Sequence, residues 1–126
     1  MSITIGLVGE QTTTVTETLT AQTFGSGSLP VYATPALIAL MEAASVAAIN
    51  QLLPADQTSV GTSISIKHLA ASALGQTIRA RAEVTQIEGR QITFTVQAWD
   101  SKQLIGEGTH VRFIVDIERF MKRLSS

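Results

Sequence analysis

Glu42 is the only charged side chain between residues 36 and 53, inside the run VYATPALIALMEAASVAAINQLLP (31–54). A carboxylate among apolar neighbours costs free energy unless it is paired or protonated. Two other side chains bear on it. Thr34 precedes it by eight residues, about 800° of helical rotation, so both lie near one face, about 12 Å apart along the axis. His68 ends the stretch SVGTSISIKH, in which Val60, Thr62, Ile64, Ile66 and His68 alternate with Ser63, Ser65 and Lys67. On that alternation the imidazole points to the apolar side of a strand. A Glu and a His brought to one cleft can exchange protons with a substrate or with water.

Each residue also has a plainer account. Thr34 before Pro35 fits an N-cap followed by the first helical position, where proline's missing N–H costs nothing. Glu42 could line a solvent-facing stripe with Ala39 and Ser45. His68 could be a core histidine bonded to backbone. Spacing alone brings the three together without deciding between these accounts.

The elements that must position them follow from periodicity. Residues 3–19 read as one or two short strands rich in Thr and Val, and AQTFGSGSLP (21–30) reads as a loop. A helix then spans 35–53 and stops at Pro54. Beyond residue 58 the period becomes two. Ile78, Ala80, Ala82 and Val84 form one face of the next strand, and Ile92, Phe94, Val96 and Ala98 one face of the strand after it. Glu88-Gly89-Arg90 and residues 100–103 make turns. In LIGEGTHVRFIV (104–115) the apolar set Val111, Phe113 and Val115 is expected inward, which leaves His110 outward and structural. Gly106 and Gly108 suggest a bulge or a close backbone approach. Asp116 can cap a final helix whose Ile117, Phe120, Met121 and Leu124 fall at i, i+3, i+4 and i+7. Strands with one apolar face must bury it, and helix 35–53 is the sizeable apolar partner. The expected fold is therefore α+β: a curved antiparallel sheet wrapped around one long central helix, in one domain over 1–126.

Composition narrows the function. Nine basic and ten acidic residues leave a net charge of −1, and the aromatic residues do not interleave with Lys or Arg, so a nucleic-acid surface is not expected. Without cysteine there are no disulfides, thiolate metal sites or cysteine nucleophiles. Two histidines 42 residues apart, with no convergent carboxylates, do not suggest a metal site. The start MSITIGLVGE lacks the pattern of a signal peptide, and a charged helix of this length is not read as a membrane span, so no membrane partner and a cytoplasmic location are expected. Arg79, Arg81 and Arg90 read as solubilising charges on outward faces. The loop GSGS (25–28) lacks the third glycine and the strand–helix setting of a dinucleotide loop and reads as a flexible flap.

Taken together, ATPALIALMEAA (33–44), SVGTSISIKHLAAS (59–72), EGR (88–90) and IGEGTHVRF (105–113) resemble the hotdog-fold thioesterases, specifically the fluoroacetyl-CoA thioesterase-like family. The resemblance covers about Val31 to Phe120. Its most specific part is ATxxxxxLME followed, 26 residues after the Glu, by the His of VGTxxxxxHxAA. It implies a hotdog fold, a catalytic set of Thr34, Glu42 and His68, and an acyl site lined by Gly61 and Arg112. It also implies a homodimer or higher homo-oligomer with sites at the subunit interface, so that His68 meets Glu42 across or beside that interface. No cofactor is implied beyond the coenzyme A that the substrate carries. One departure stands out: where the fluoroacetyl-selective enzyme places a phenylalanine lid, this chain has GSGSLPVY with Ser28 and Leu29, so that selectivity is not implied.

The implied activity is hydrolysis of a small acyl-CoA thioester to acid and CoA. Glu42 would attack the carbonyl or activate water, His68 would orient or protonate, and the Thr34 hydroxyl would donate a positioning hydrogen bond. The backbone near Gly61 would hold the oxyanion, and Arg112 the acyl group. A hotdog acyl-CoA hydratase or dehydratase, or a non-catalytic acyl-CoA or acyl-carrier binding protein, are the alternatives.

Overall fold

Residues 2–125 are described by the computed structural model, and in them five antiparallel strands curl around one long helix. The strands are β1 (Val8–Thr14), β2 (Gln57–His68), β3 (Thr77–Glu88), β4 (Gln91–Trp99) and β5 (Leu104–Asp116). Their order is β1-β3-β4-β5-β2, so β1 and β2 are the sheet edges. The helices are α1 (Ala21–Phe24), α2 (Thr34–Ile49) and α3 (Ile117–Leu124).

The alternation of β3 and β4 holds residue for residue. Ile78, Ala80, Ala82, Val84, Ile92, Phe94, Val96 and Ala98 are all buried and meet the face of α2 that carries Leu37, Met41, Ala44 and Ala48. Contact is close because both surfaces carry small groups. A Cβ on Gly9 would lie within 2.4 Å of the Ala48 nitrogen, and one on Gly106 within 2.9 Å of Leu37 Cδ2. Burial of such a face supplies the main drive for holding helix to sheet. Ala36 is buried, but Ala39 and Ala43 face away from the sheet. With its 3₁₀ extension the apolar run Thr34–Leu52 does reach the length and composition of a membrane span, although one side of it is covered by the sheet.

Several local expectations change. The segment after residue 20 is not all loop: the Thr20 hydroxyl accepts from Thr23 N, and one helical turn forms before Gly25 ends it at φ +74°. Ala33, not Thr34, occupies the N-cap of α2, so the Thr34 side chain is free of that duty. Asp116 stands at the N-cap of α3 without capping it, because its carboxylate accepts from Gln57 and pairs with Arg90. Of the apolar face of α3, Ile117, Met121 and Leu124 stay exposed.

Two departures concern the site. In β5 the inward set is His110, Arg112 and Ile114, while Phe113 is exposed. The alternation is intact from Gly106 onward, but its polarity is inverted. In β2, Gly61 faces Arg112 and Ser63 faces Val111, which leaves Thr62 as the extra residue of a bulge. Ser59 and Gly61 therefore point to α2 before the bulge, and Ile64, Ile66 and His68 after it. Val60 and Thr62 do not share the face of His68, because the bulge resets the phase.

Candidate active site

Two clusters form on the concave face. The first sits at the start of α2. Thr34 Oγ1 is 2.8 Å from His68 Nδ1, so the hydroxyl that is free of capping holds the imidazole. The Tyr32 ring meets that imidazole edge-on, with centroids 6.5 Å apart, and Tyr32 is itself fixed by donating its hydroxyl hydrogen to the Ala36 carbonyl. Burial pushes the Tyr32 phenol up to about 12 and pulls His68 below the ordinary histidine range. His68 Nε2 is buried with no hydrogen-bond partner among the described residues. A buried polar atom of this kind calls for an explanation, such as a ligand or a second chain. Beside it lies a pocket of about 320 Å³ bordered by Ser26, Tyr32, Thr34, His68 and Leu69.

The second cluster lies two turns further along α2. Glu42 Oε2 is 3.5 Å from Arg112 Nη1 and 3.9 Å from His110 Nε2. Arg112 is only 7% exposed and is fully engaged: Nε donates to Ser59 Oγ at 2.8 Å, Nη2 to the Ser59 carbonyl at 2.9 Å, and Nη1 to Glu42. Ser59 in turn donates to Asn50 Oδ1, which ties the cluster to the end of α2. Burial lowers the Arg112 pKa, and Glu42 opposes that shift. Gly61 is the floor: a Cβ there would lie 2.6 Å from Glu42 Oε2, 3.2 Å from His110 Cε1 and 3.4 Å from Arg112 Nη1. Glycine lets a carboxylate, a guanidinium and an imidazole close in on the β2 backbone.

The structure thus joins Thr34 to His68, and Glu42 to Gly61 and Arg112, but it does not join the two groups within the chain. Along β2 they are seven positions apart with one bulged out, about 20 Å of strand. Thr34 bonds to His68 and not to Glu42. Neither plain account of Thr34 or His68 survives, since Thr34 does not cap and the His68 ring nitrogens have no backbone partner. Sequence reasoning missed His110, which is 1% exposed and inward. A signal for it existed: residues 110 and 112 share a strand face, so an inward Arg112 requires an inward His110.

Both histidines are held neutral by burial, which has a measurable consequence. Their folded pKa values lie below the unfolded value of 6.5, so between the two the unfolded chain binds more protons. The stabilisation is complete above pH 6.5 and is lost as pH falls toward the folded values. The melting temperature should therefore drop between pH 7 and pH 5, above the range in which carboxylates titrate. A flat or rising melting temperature over that interval would contradict neutral burial.

Residues 15–118 match the family described as fluoroacetyl-CoA-specific thioesterase. A curated relative, the fluoroacetyl-CoA thioesterase of Streptantibioticus cattleyicolor, is 39% identical over 90 residues, which is 71% of this chain. The match spans 65% of that protein's own length, just under two thirds. A solved structure of the fluoroacetyl-CoA enzyme, a threonine-to-serine variant in complex with acetyl-CoA, superposes with a TM-score of 0.91 at 30% identity, covering 97% of this chain and 96% of that one. A Thermus thermophilus member of the thioesterase superfamily superposes with a TM-score of 0.89 at 28% identity, covering 98% and 94%.

Proposed function

The chain belongs to the fluoroacetyl-CoA-specific thioesterase family and has the hotdog fold, and we propose that it hydrolyses short acyl-CoA thioesters as a homodimer. The observation that carries the reading is the pair of incomplete half-sites: an imidazole with an unpartnered Nε2, and a carboxylate–guanidinium pair over a glycine floor. Each lacks what the other has.

A second copy would complete both. Strand β2 is a sheet edge with twelve residues, and Ile64 and Ile66 on its concave side are only half-buried. The midpoint between Gly61 and His68 falls near Ile64 and Ser65, toward the C-terminal half of the strand. Antiparallel pairing of two β2 edges about that midpoint would set His68 of each copy beside Gly61 of the other. Hydrogen-bonding of unpaired edge groups favours such an arrangement.

In that site the thioester carbonyl lies beside Gly61, whose backbone carries no Cβ of its own to stand between it and the developing oxyanion. Glu42 either takes a proton from the attacking water or attacks the carbonyl itself, in which case water cleaves the resulting anhydride. The C–S bond breaks, and the thiolate leaves as CoA with a proton delivered through His68. Either route consumes one water and yields acid and thiol. Thr34 keeps the imidazole oriented, and Arg112 faces the acyl group. Free thiol released from a panel of acyl-CoAs tests the reading. A hydratase would instead change enoyl absorbance, and a binding protein would return every thioester intact.

The floor gives a separate prediction. In Gly61→Ala the new methyl meets the flexible, 41%-exposed end of Glu42, so the fold survives while the carboxylate is displaced. A displacement of that size should lower kcat/KM by about a hundredfold. Unchanged kinetics in the folded variant would remove Gly61 from the site.

A further inference from the structure

His110 has no part in the reaction above, yet it is 1% exposed and engaged at both ring nitrogens. Nδ1 lies 2.8 Å from the Ser63 carbonyl oxygen. A carbonyl oxygen only accepts, so Nδ1 carries the hydrogen. In the neutral ring Nε2 then bears a lone pair, and it stands 3.3 Å from Arg112 Nη1, which only donates. Phe94 stacks on the ring at 6.0 Å with planes 27° apart, which holds the imidazole in this orientation.

Arg112 Nη1 is thereby shared between His110 Nε2 and Glu42 Oε2. The other guanidinium nitrogens are committed to Ser59, and on this rigid planar fork His110 supplies the further anchor at Nη1, the end that faces Glu42. We propose that His110 is a positioning residue: a neutral imidazole, anchored through Nδ1–H to Ser63, whose Nε2 accepts from Arg112 and fixes the guanidinium against Glu42 above Gly61. The proposal rests on the hydrolase reading, and it adds a requirement that one ring nitrogen stay unprotonated.

Protonation would reverse the arrangement. Nε2–H would confront an Arg112 N–H, donor against donor, and would compete for Glu42 Oε2 at 3.9 Å. The charged groups facing the ring are Arg112 on its own strand and Glu42 on α2; β2 contributes Ser63 and Ile64, and β4 contributes Phe94. Burial is the largest influence and favours the neutral form, Arg112 adds to it, and Ser63 and Glu42 oppose.

Three measurements test this. His110→Phe keeps a ring against Phe94 but offers Arg112 no acceptor; it should lower kcat/KM about ten- to hundredfold, the loss expected for a hydrogen bond to a charged group. His110→Gln supplies a non-titrating acceptor and should recover activity to within about threefold of the native protein, with the acidic limb of the pH profile shifted or gone. Equal activity in folded Phe and Gln variants would show a merely space-filling ring and overturn the proposal. Imidazole ¹⁵N NMR on the unaltered protein needs no activity, and with two histidines in the chain assignment is direct. The expected signal is a neutral Nδ1–H tautomer that titrates below 6.5. An Nε2–H tautomer or an imidazolium at neutral pH overturns the proposal even if thioesters are hydrolysed. The expected tautomer with no hydrolysis of any acyl-CoA supports the placement of Arg112 and assigns the failure to the hydrolase reading.

Discussion

Glu42→Gln should lower kcat/KM for short acyl-CoA thioesters by about a thousandfold, inside the range that a general base or its loss commands. Glutamine matches the carboxylate in shape, and its carbonyl oxygen can still accept from Arg112 Nη1, now 3.5 Å from Glu42. What it cannot do is take a proton from water or attack a thioester carbon. The effect should fall on kcat with KM little changed, because an interaction made in the transition state is lost while binding contacts remain. Stability should fall modestly, since glutamine keeps the hydrogen bond but leaves the buried Arg112 without its counter-charge. Thiol release within tenfold of the unaltered protein would exclude Glu42 as base and nucleophile alike.

The second large effect concerns where the site is assembled. On the proposed pairing of two copies, Glu42→Gln and His68→Ala should each give an inactive homodimer. A purified mixed dimer carrying one copy of each should regain about half the activity of the native dimer, because two-fold symmetry leaves one of its two composite sites intact. The recovery needs no new contact, only Glu42 of the His68→Ala copy meeting His68 of the Glu42→Gln copy. If both residues acted within a single protomer, the mixed dimer would be as inactive as its parents. The roughly 20 Å of β2 between Gly61 and His68 argues against that outcome.

Much of the fold was legible in the sequence because it follows from period and polarity. In β3 and β4 all eight residues expected inward, from Ile78 to Ala98, are buried. Helix α2 was legible from its length, its apolar run and Pro35, although its cap was misplaced by one residue. Strand β5 was read with its faces exchanged. Its period holds from Gly106 onward, but the rule that apolar residues turn inward fails where a strand carries a buried guanidinium and imidazole to a site. Phe113, exposed, and Arg112, buried, are the clearest instance. Strand β2 went wrong only at Val60 and Thr62, since no alternation rule detects a residue that the ladder skips. Thr34, Glu42 and His68 stood out by type and spacing, while the roles expected of them, and Gly61 and Arg112 altogether, came from a family resemblance. What the fold adds is their grouping: Thr34 with His68, and Glu42 with Gly61, Arg112 and the overlooked His110.

The skipped residue also bears on how this strand tolerates length changes. Gly61 and His68 are an odd number of positions apart, yet both look toward α2, because Thr62 is not counted by the ladder. Excising Thr62 would therefore leave Gly61 opposite Arg112 and Ser63 opposite Val111, with every later side chain still on its present side. Excising Ser65 instead would turn one end of the strand inside out, moving either Gly61 or His68 to the convex surface. Thr62 is thus the strand's one silent letter, and a shorter spelling without it would still bring the same two groups to the concave side.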